Sequence, residues 1–149
     1  MAHSYTSTLI HYVFSTKARR KTIQPELEKE LWAYLGGIAR NRGMKALAVG
    51  GVEDHAHILL LLPSTVAVAA AVQRLKAGSS KWLHEVYGLR RFEWQEGYGA
   101  FSIGISQAPA TVTYILGQKE HHLRQDFCEE YLGFLAKHKI EYDPRFVFD

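Results

Sequence analysis

Two β-type runs, residues 45–52 and 55–62, stand back to back with only Glu53-Asp54 between them. So short a link joins antiparallel neighbours, because a parallel pair needs a crossover of about a dozen residues or more. What flanks this hairpin constrains the fold. Upstream, Thr6 to Thr16 is rich in Thr, Ile, Tyr, Val and Phe and holds no Gly or Pro, the composition of a strand. Leu9, His11 and Val13 share one of its faces; Ile10, Tyr12 and Phe14 share the other. A helix can begin at Pro25, with Glu26, Glu28 and Glu30 suiting its N-terminal end. Leu27, Leu31, Tyr34, Leu35 and Ile38 recur at helical spacing, and Gly43 can end the helix. Downstream, Pro63-Ser64 stops the third strand and Ser64 or Thr65 can cap a long helix to about Val86. Val68, Val72, Leu75, Trp82 and Val86 are among its apolar positions, and Gly88 closes it. Arg90 to Ser106 supplies one or two further strand pieces, interrupted at Glu96-Gly97. Helices from Pro109 to about His122 and from Asp126 to His138 complete the chain.

The order β-α-β-β-α-β predicts an α+β, ferredoxin-like antiparallel sheet with helices on one face, plus C-terminal helices. The other sheet face would be free for a ligand. Residues 1–149 read as one domain, with 123–149 a C-terminal helical tail packed by Tyr131, Leu135 and Phe146. The single cysteine, Cys128, excludes an internal disulfide framework and an all-cysteine zinc site. The longest apolar stretch, 66–72, is far too short to span a membrane, and the N-terminus has no secretory pattern, so a cytoplasmic protein is expected. Net charge is +3, unevenly spread: residues 1–52 hold eight Lys and Arg against three Glu. Clusters at Lys17, Arg19, Arg20 and Lys21, and at Arg40, Arg42 and Lys45, can track a phosphate backbone or simply form a solvated face.

Two constellations carry chemistry. His55 and His57 are separated by one residue in a strand, so their imidazoles stand on one face, and neutral imidazole is a common metal ligand. Half-buried sheet histidines are equally common without a metal. Tyr114 and Gln118 lie one helical turn apart and can reach one ligand, although an amphipathic helix with Tyr114 in the core fits the same spacing. His11 shares the face of the histidine pair if the first strand adjoins the third. A satisfied sheet histidine is the simpler reading of it.

Taken together, a His-Ala-His strand in a β-α-β-β-α-β frame, followed by Tyr-x-x-x-Gln on a later helix, resembles the HUH endonuclease superfamily. Closer still are its single-tyrosine (Y1) transposases of the IS200/IS605 type and their REP-associated relatives. The resemblance covers nearly the whole chain. It rests on the first strand and basic run, residues 12–21, and on Glu53-Asp54-His55-Ala56-His57-Ile58-Leu59. It rests also on Leu75-Lys76-Ala77-Gly78-Ser79-Ser80, on the stretch Trp94 to Ser102, and on Tyr114 to His122. It implies that His55, His57 and Gln118 hold a divalent metal, Mg²⁺ or Mn²⁺, and that Tyr114 on a C-terminal helix is the nucleophile. It further implies a homodimer that cuts single-stranded DNA at hairpins and rejoins the ends. His121 and His122 fit the same motif without an assigned role.

The chemistry agrees with those roles. A tyrosine hydroxyl, with an ordinary pKa of about 10, is a poor nucleophile at neutral pH without help. A divalent ion on a phosphate oxygen stabilises the charge that attack builds and orients the leaving 3′-oxygen. A 5′-phosphotyrosine keeps the ester, so a 3′-OH can reverse the reaction without ATP. Imidazole donors favour Mn²⁺ over Mg²⁺. Expected DNA contacts are Lys17, Arg19, Arg20 and Lys21, with Lys76, Ser79 and Ser80 on the second helix, and stacking by Trp94, Tyr98 or Phe101. Two other classes fit parts of the pattern. One is a non-catalytic single-stranded nucleic-acid-binding module with an RRM-like sheet, though no RNP1 pattern is present. The other is a small metal-dependent hydrolase using bound water.

Overall fold

The computed structural model describes residues 3–149. Strand β1 spans Leu9–Ser15 and ends in a 3-10 turn at Lys17–Arg19; helix α1 spans Pro25–Asn41. The central hairpin is β2, Lys45–Val52, and β3, His55–Leu61, turning at Glu53 and Asp54. Helix α2 spans Val68–Val86, and β4 spans Gly99–Ile103. Three short helices follow: α3 at Ala108–Leu116, α4 at Gln118–His121 and α5 at Phe127–Lys137. The sheet is antiparallel throughout, in the order β2-β3-β1-β4. The expected ferredoxin-like α+β architecture is what the chain adopts.

The alternation in β1 and β3 divides the core into two layers. Ile10, Tyr12 and Phe14 face one way with Ala56, Ile58 and Leu60, and meet Leu31 and Leu35 of α1 and Leu75 and Leu83 of α2. These four leucines recur at four- and eight-residue intervals, the stripe a core-facing helix needs. Leu9, His11 and Val13 face the opposite way with His55, His57 and Leu59. Register places His57 beside Val13 and His55 beside Ser15.

That second face is not open, contrary to expectation. Ile115 of α3 packs on Leu9, Leu59 and Ala48, while Phe127, Tyr131 and Leu135 of α5 pack on Val13 and Phe101. The C-terminal helices bring their own apolar stripes, and the sheet face is where those stripes leave water. The tail then folds back. Val147 and Phe148 join the α5 cluster, and Asp149 accepts a backbone bond from Gly97 at 2.9 Å. Phe146, expected in this packing, is 57% exposed; Phe148 takes that place.

Three local departures matter for the site. The helix expected from Pro109 to His122 breaks at Gly117, where the backbone unwinds to ψ 19° and its N–H is shared between Thr113 and Tyr114 carbonyls at 3.0 and 3.3 Å. Of the strand pieces expected before β4, only an isolated bridge between Thr16 and Trp94 forms. Helix α2 starts at Val68 rather than near Ser64. A glycine is required at position 50 of β2: a Cβ there would run into the carbonyl of Ile115, so α3 lies directly on the β2 backbone.

Candidate active site and metal cluster

The hairpin delivers two imidazoles to the covered face of the sheet, and each ring has a partner on its outer nitrogen. His55 Nδ1 lies 2.7 Å from Asp54 Oδ1, and His57 Nδ1 lies 2.9 Å from His11 Nε2. Both Nε2 atoms therefore point the same way, towards α4 and α5. A carboxylate or ring nitrogen on one side of an imidazole fixes its orientation, the usual support of a metal-binding histidine. His11 is thus a satisfied sheet histidine, and its partner is one of the pair.

The two constellations meet. Gln118 Oε1 lies 3.4 Å from His55 Nε2, and the Gln118 amide donates to the Tyr114 carbonyl at 3.0 Å, across the break at Gly117. Tyr114 is half-buried, and its ring stands 5.7 Å from that of His57. At the centre is a residue that spacing did not single out, Glu130 of α5. Its Oε1 lies 2.9 Å from His57 Nε2, 3.3 Å from His55 Nε2 and 3.2 Å from His122 Nε2. Its Oε2 accepts from the Tyr114 hydroxyl and lies 3.2 Å from His121 Nε2. His122 also reaches Gln118 Oε1 at 2.9 Å. The signal for Glu130 was present: it falls between Phe127, Tyr131 and Phe134 on the buried side of its helix, where a lone carboxylate is costly unless paired.

Burial and charge set the protonation states. His57 is fully buried, and burial brings its pKa down to about 4 despite Glu130; burial and the neighbouring His57 bring His11 to about 3. Burial also opposes charge on His55, but its bonds to Asp54 and Glu130 win and raise it to about 9. Glu130 is held well below the usual carboxylate range: burial opposes this, and bonds from His122, His55 and His57 overcome it. Tyr114 is pushed up, by burial and then by the Glu130 charge it faces.

Donor atoms of His55, His57, His122 and Glu130 all lie within 4.8 Å of one another. Donors around one ion with bonds of about 2.0–2.2 Å stand about 3–4.4 Å apart, so small adjustments let this group hold a divalent metal. The mixed nitrogen and oxygen set suits such an ion. A cleft of about 590 Å³ opens beside the cluster, lined by His11, Gln107, Thr111, Tyr114 and Glu130 among others.

The expected DNA contacts divide. Lys17, Arg20 and Lys21 are exposed and line a second cleft of about 610 Å³. Its far wall carries Arg90 and Arg91, which the reading of basic runs missed because they come from the loop after α2. Lys17 is paired with Glu93 at 3.1 Å, and the Arg19 guanidinium sits 5.0 Å over the Phe148 ring. Lys76 and Ser79 are turned inward, against expectation. The Lys76 ammonium bonds the carbonyls of Gln95, Glu96 and Gly97, and burial lowers its pKa to about 8. Buried Ser79 donates to Leu75 and accepts from Trp94 at 2.9 Å. Half-buried Ser80 faces His84. Trp94 and Phe101 are core residues.

Comparisons with known proteins agree with this geometry. The family model described as IS200-like transposase matches residues 4–118. The transposase of insertion sequence element IS200 from Salmonella typhimurium is 28% identical over 139 residues, 89% of this chain and 88% of that protein. Its Salmonella typhi counterpart matches to the same extent. Among solved structures, a Deinococcus radiodurans protein assigned as a transposase superposes with a TM-score of 0.64 at 20% identity, covering 77% of this chain and 94% of that one. A REP-associated tyrosine transposase bound to a REP hairpin gives 0.56 at 17% identity, covering 77% and 68%. The class defined by the fold, the histidine strand and the family match is a tyrosine transposase of the HUH type. Within it, the chain belongs to the family of IS200-like transposases. The family match ends at Gln118, so His122 and Glu130 lie beyond it. No helix among the described residues is long and apolar enough to cross a membrane.

Proposed function

We propose that this transposase cuts and rejoins single-stranded DNA at hairpin-bearing sites through a 5′-phosphotyrosine on Tyr114. A divalent ion, Mg²⁺ or Mn²⁺, would be held by His55, His57 and Gln118. The observation that carries this reading is the meeting of the Tyr114 hydroxyl and both imidazole Nε2 atoms on one carboxylate, so nucleophile and metal donors face the same small volume. When bound, the ion supplies charge to a phosphate oxygen and lowers the barrier to attack. The protein's own groups do the rest. Asp54 and His11 hold the rings in place, and Gln118 ties the Tyr114 backbone to the cluster. The Tyr114 oxygen bonds to phosphorus as its hydroxyl proton is released, the bond from phosphorus to the 3′-oxygen breaks, and the departing 3′-oxygen takes up one proton as a 3′-OH, so none is gained or lost overall. Rejoining is the reverse, with a 3′-OH as nucleophile.

Lys17, Arg19, Arg20 and Lys21 belong to the same proposal as phosphate contacts, with Arg90 and Arg91 added opposite. So does a homodimer as the working unit. The RRM-like binding module loses its support, since α3 and α5 cover the face on which bases would stack. The test is an adduct assay with a library of hairpin-bearing single strands in Mn²⁺, denatured and mapped. A metal-dependent adduct on Tyr114, lost with EDTA and in Tyr114→Phe, is expected. An adduct on another residue, or turnover in Tyr114→Phe, refutes the assignment.

A further inference from the structure

We propose that Glu130, carried by α5 beyond the family match, is an anionic metal ligand of this site and, through its second oxygen, the tether that holds the Tyr114 hydroxyl beside the metal. This rests on the metal reading above and extends it to a residue that the resemblance does not name.

Position argues for ligation. Glu130 Oε1 is on the inner side of both strand histidines, 2.9 Å from His57 Nε2 and 3.3 Å from His55 Nε2. Gln118 is less well placed. Its oxygen is 3.4 Å from His55 and turned to His122 at 2.9 Å, and its amide nitrogen is committed to the Tyr114 carbonyl. Burial argues for it too. Glu130 is 3% exposed and sits on the apolar stripe of α5, whose Phe127, Tyr131 and Leu135 pin the helix to the sheet. A carboxylate so placed needs cationic or metal partners. Charge is consistent: one carboxylate against a divalent ion leaves a net positive site, still attractive to a phosphodiester. The two oxygens then have separate tasks. Oε1 faces the imidazoles; Oε2 holds Tyr114 and lies 3.2 Å from His121. A single buried side chain of α5 thus links the metal donors to the nucleophile.

The test has two readouts. The first is Mn²⁺ binding to the full chain without DNA, followed by electron paramagnetic resonance of the free ion. Glu130→Gln should weaken affinity about tenfold or more, as His57→Ala should, and Glu130→Asp should fall between, having the charge but a shorter reach. Circular dichroism checks the fold, and Glu130→Asp serves if the amide variant does not fold. The second is adduct formation on Tyr114 against Mn²⁺ concentration. Glu130→Gln should raise the Mn²⁺ requirement and also lower the plateau. Affinity within twofold of the wild type in Glu130→Gln, with His57→Ala defective, overturns ligation and leaves the metal reading standing. A plateau fully restored by excess Mn²⁺ overturns the tether. A wild-type chain that does not bind Mn²⁺ overturns both this proposal and the metal reading.

Discussion

Acidifying the metal-free protein from about pH 7.5 to about 5 should remove about 2–3 kcal/mol of folding stability through its buried histidines. His57 and His11 are held neutral, with pKa values of about 4 and about 3 against 6.5 for a free imidazole. In the unfolded chain both bind a proton as pH falls through 6.5; in the folded chain neither does. Their contribution is fully present above 6.5 and is lost as pH falls towards the folded values, about 2 kcal/mol for each ring by pH 5. His55 acts in the opposite sense, being raised to about 9. Its contribution is complete below 6.5 and lost as pH rises through 9, so acidification restores about 1 kcal/mol. Unfolded carboxylates, with pKa values near 4, add little above pH 5. The loss is readable against a typical stability of about 5–15 kcal/mol. Urea unfolding in EDTA at four pH values measures it. His11→Gln leaves His57 Nδ1 an amide partner and removes one titrating ring, so its curve should be nearly flat over this range. A wild-type curve equally flat, or an undiminished loss in His11→Gln, refutes the claim that these rings are kept neutral by burial.

Three further predictions concern the packing under the candidate site, helix α5 and the proposed DNA cleft. Gly50→Ala should destabilise by about 1–3 kcal/mol and depress adduct formation beyond that loss, because its Cβ meets the Ile115 backbone rather than a side chain that can rotate. Gly133→Ala, with open space around it on α5, should instead stabilise by about 0.5–1 kcal/mol in the same denaturation assay. Removing cations from the cleft shared by Arg20, Lys21, Arg90 and Arg91 should weaken binding of a hairpin oligonucleotide uniformly across sequences. The slope of log affinity against log salt should fall by about one for each phosphate deprived of its cation. An unchanged slope in a double variant spanning both walls would take the cleft out of the DNA path.

The order of elements was legible because it rests on local patterns: alternation in β1 and β3, four-residue stripes in α1 and α2, and a two-residue turn between β2 and β3. The histidine pair was legible for the same reason, since strand geometry alone puts both rings on one face. What failed to show was everything that depends on one segment meeting another far along the chain. Lys76 reads as a free cation until the carbonyls of residues 95–97 arrive to accept its hydrogen bonds. Arg90 and Arg91 read as part of a strand until they form the wall opposite Arg20 and Lys21. The open sheet face was inferred from the β-α-β-β-α-β frame, but the apolar stripes of α3 and α5 have no other surface to bury against. Glu130 is the instructive case. Counted by composition it is one of fifteen acidic residues; by helical position it is a carboxylate where its helix is otherwise apolar. A charge at such a position cannot stay unpaired, so something opposite must meet it. Here the groups that meet it are the two strand imidazoles, His121, His122 and the Tyr114 hydroxyl, so that something is the candidate site. A misplaced charge on an amphipathic helix can therefore locate a site before any motif does, provided the helix itself has been placed.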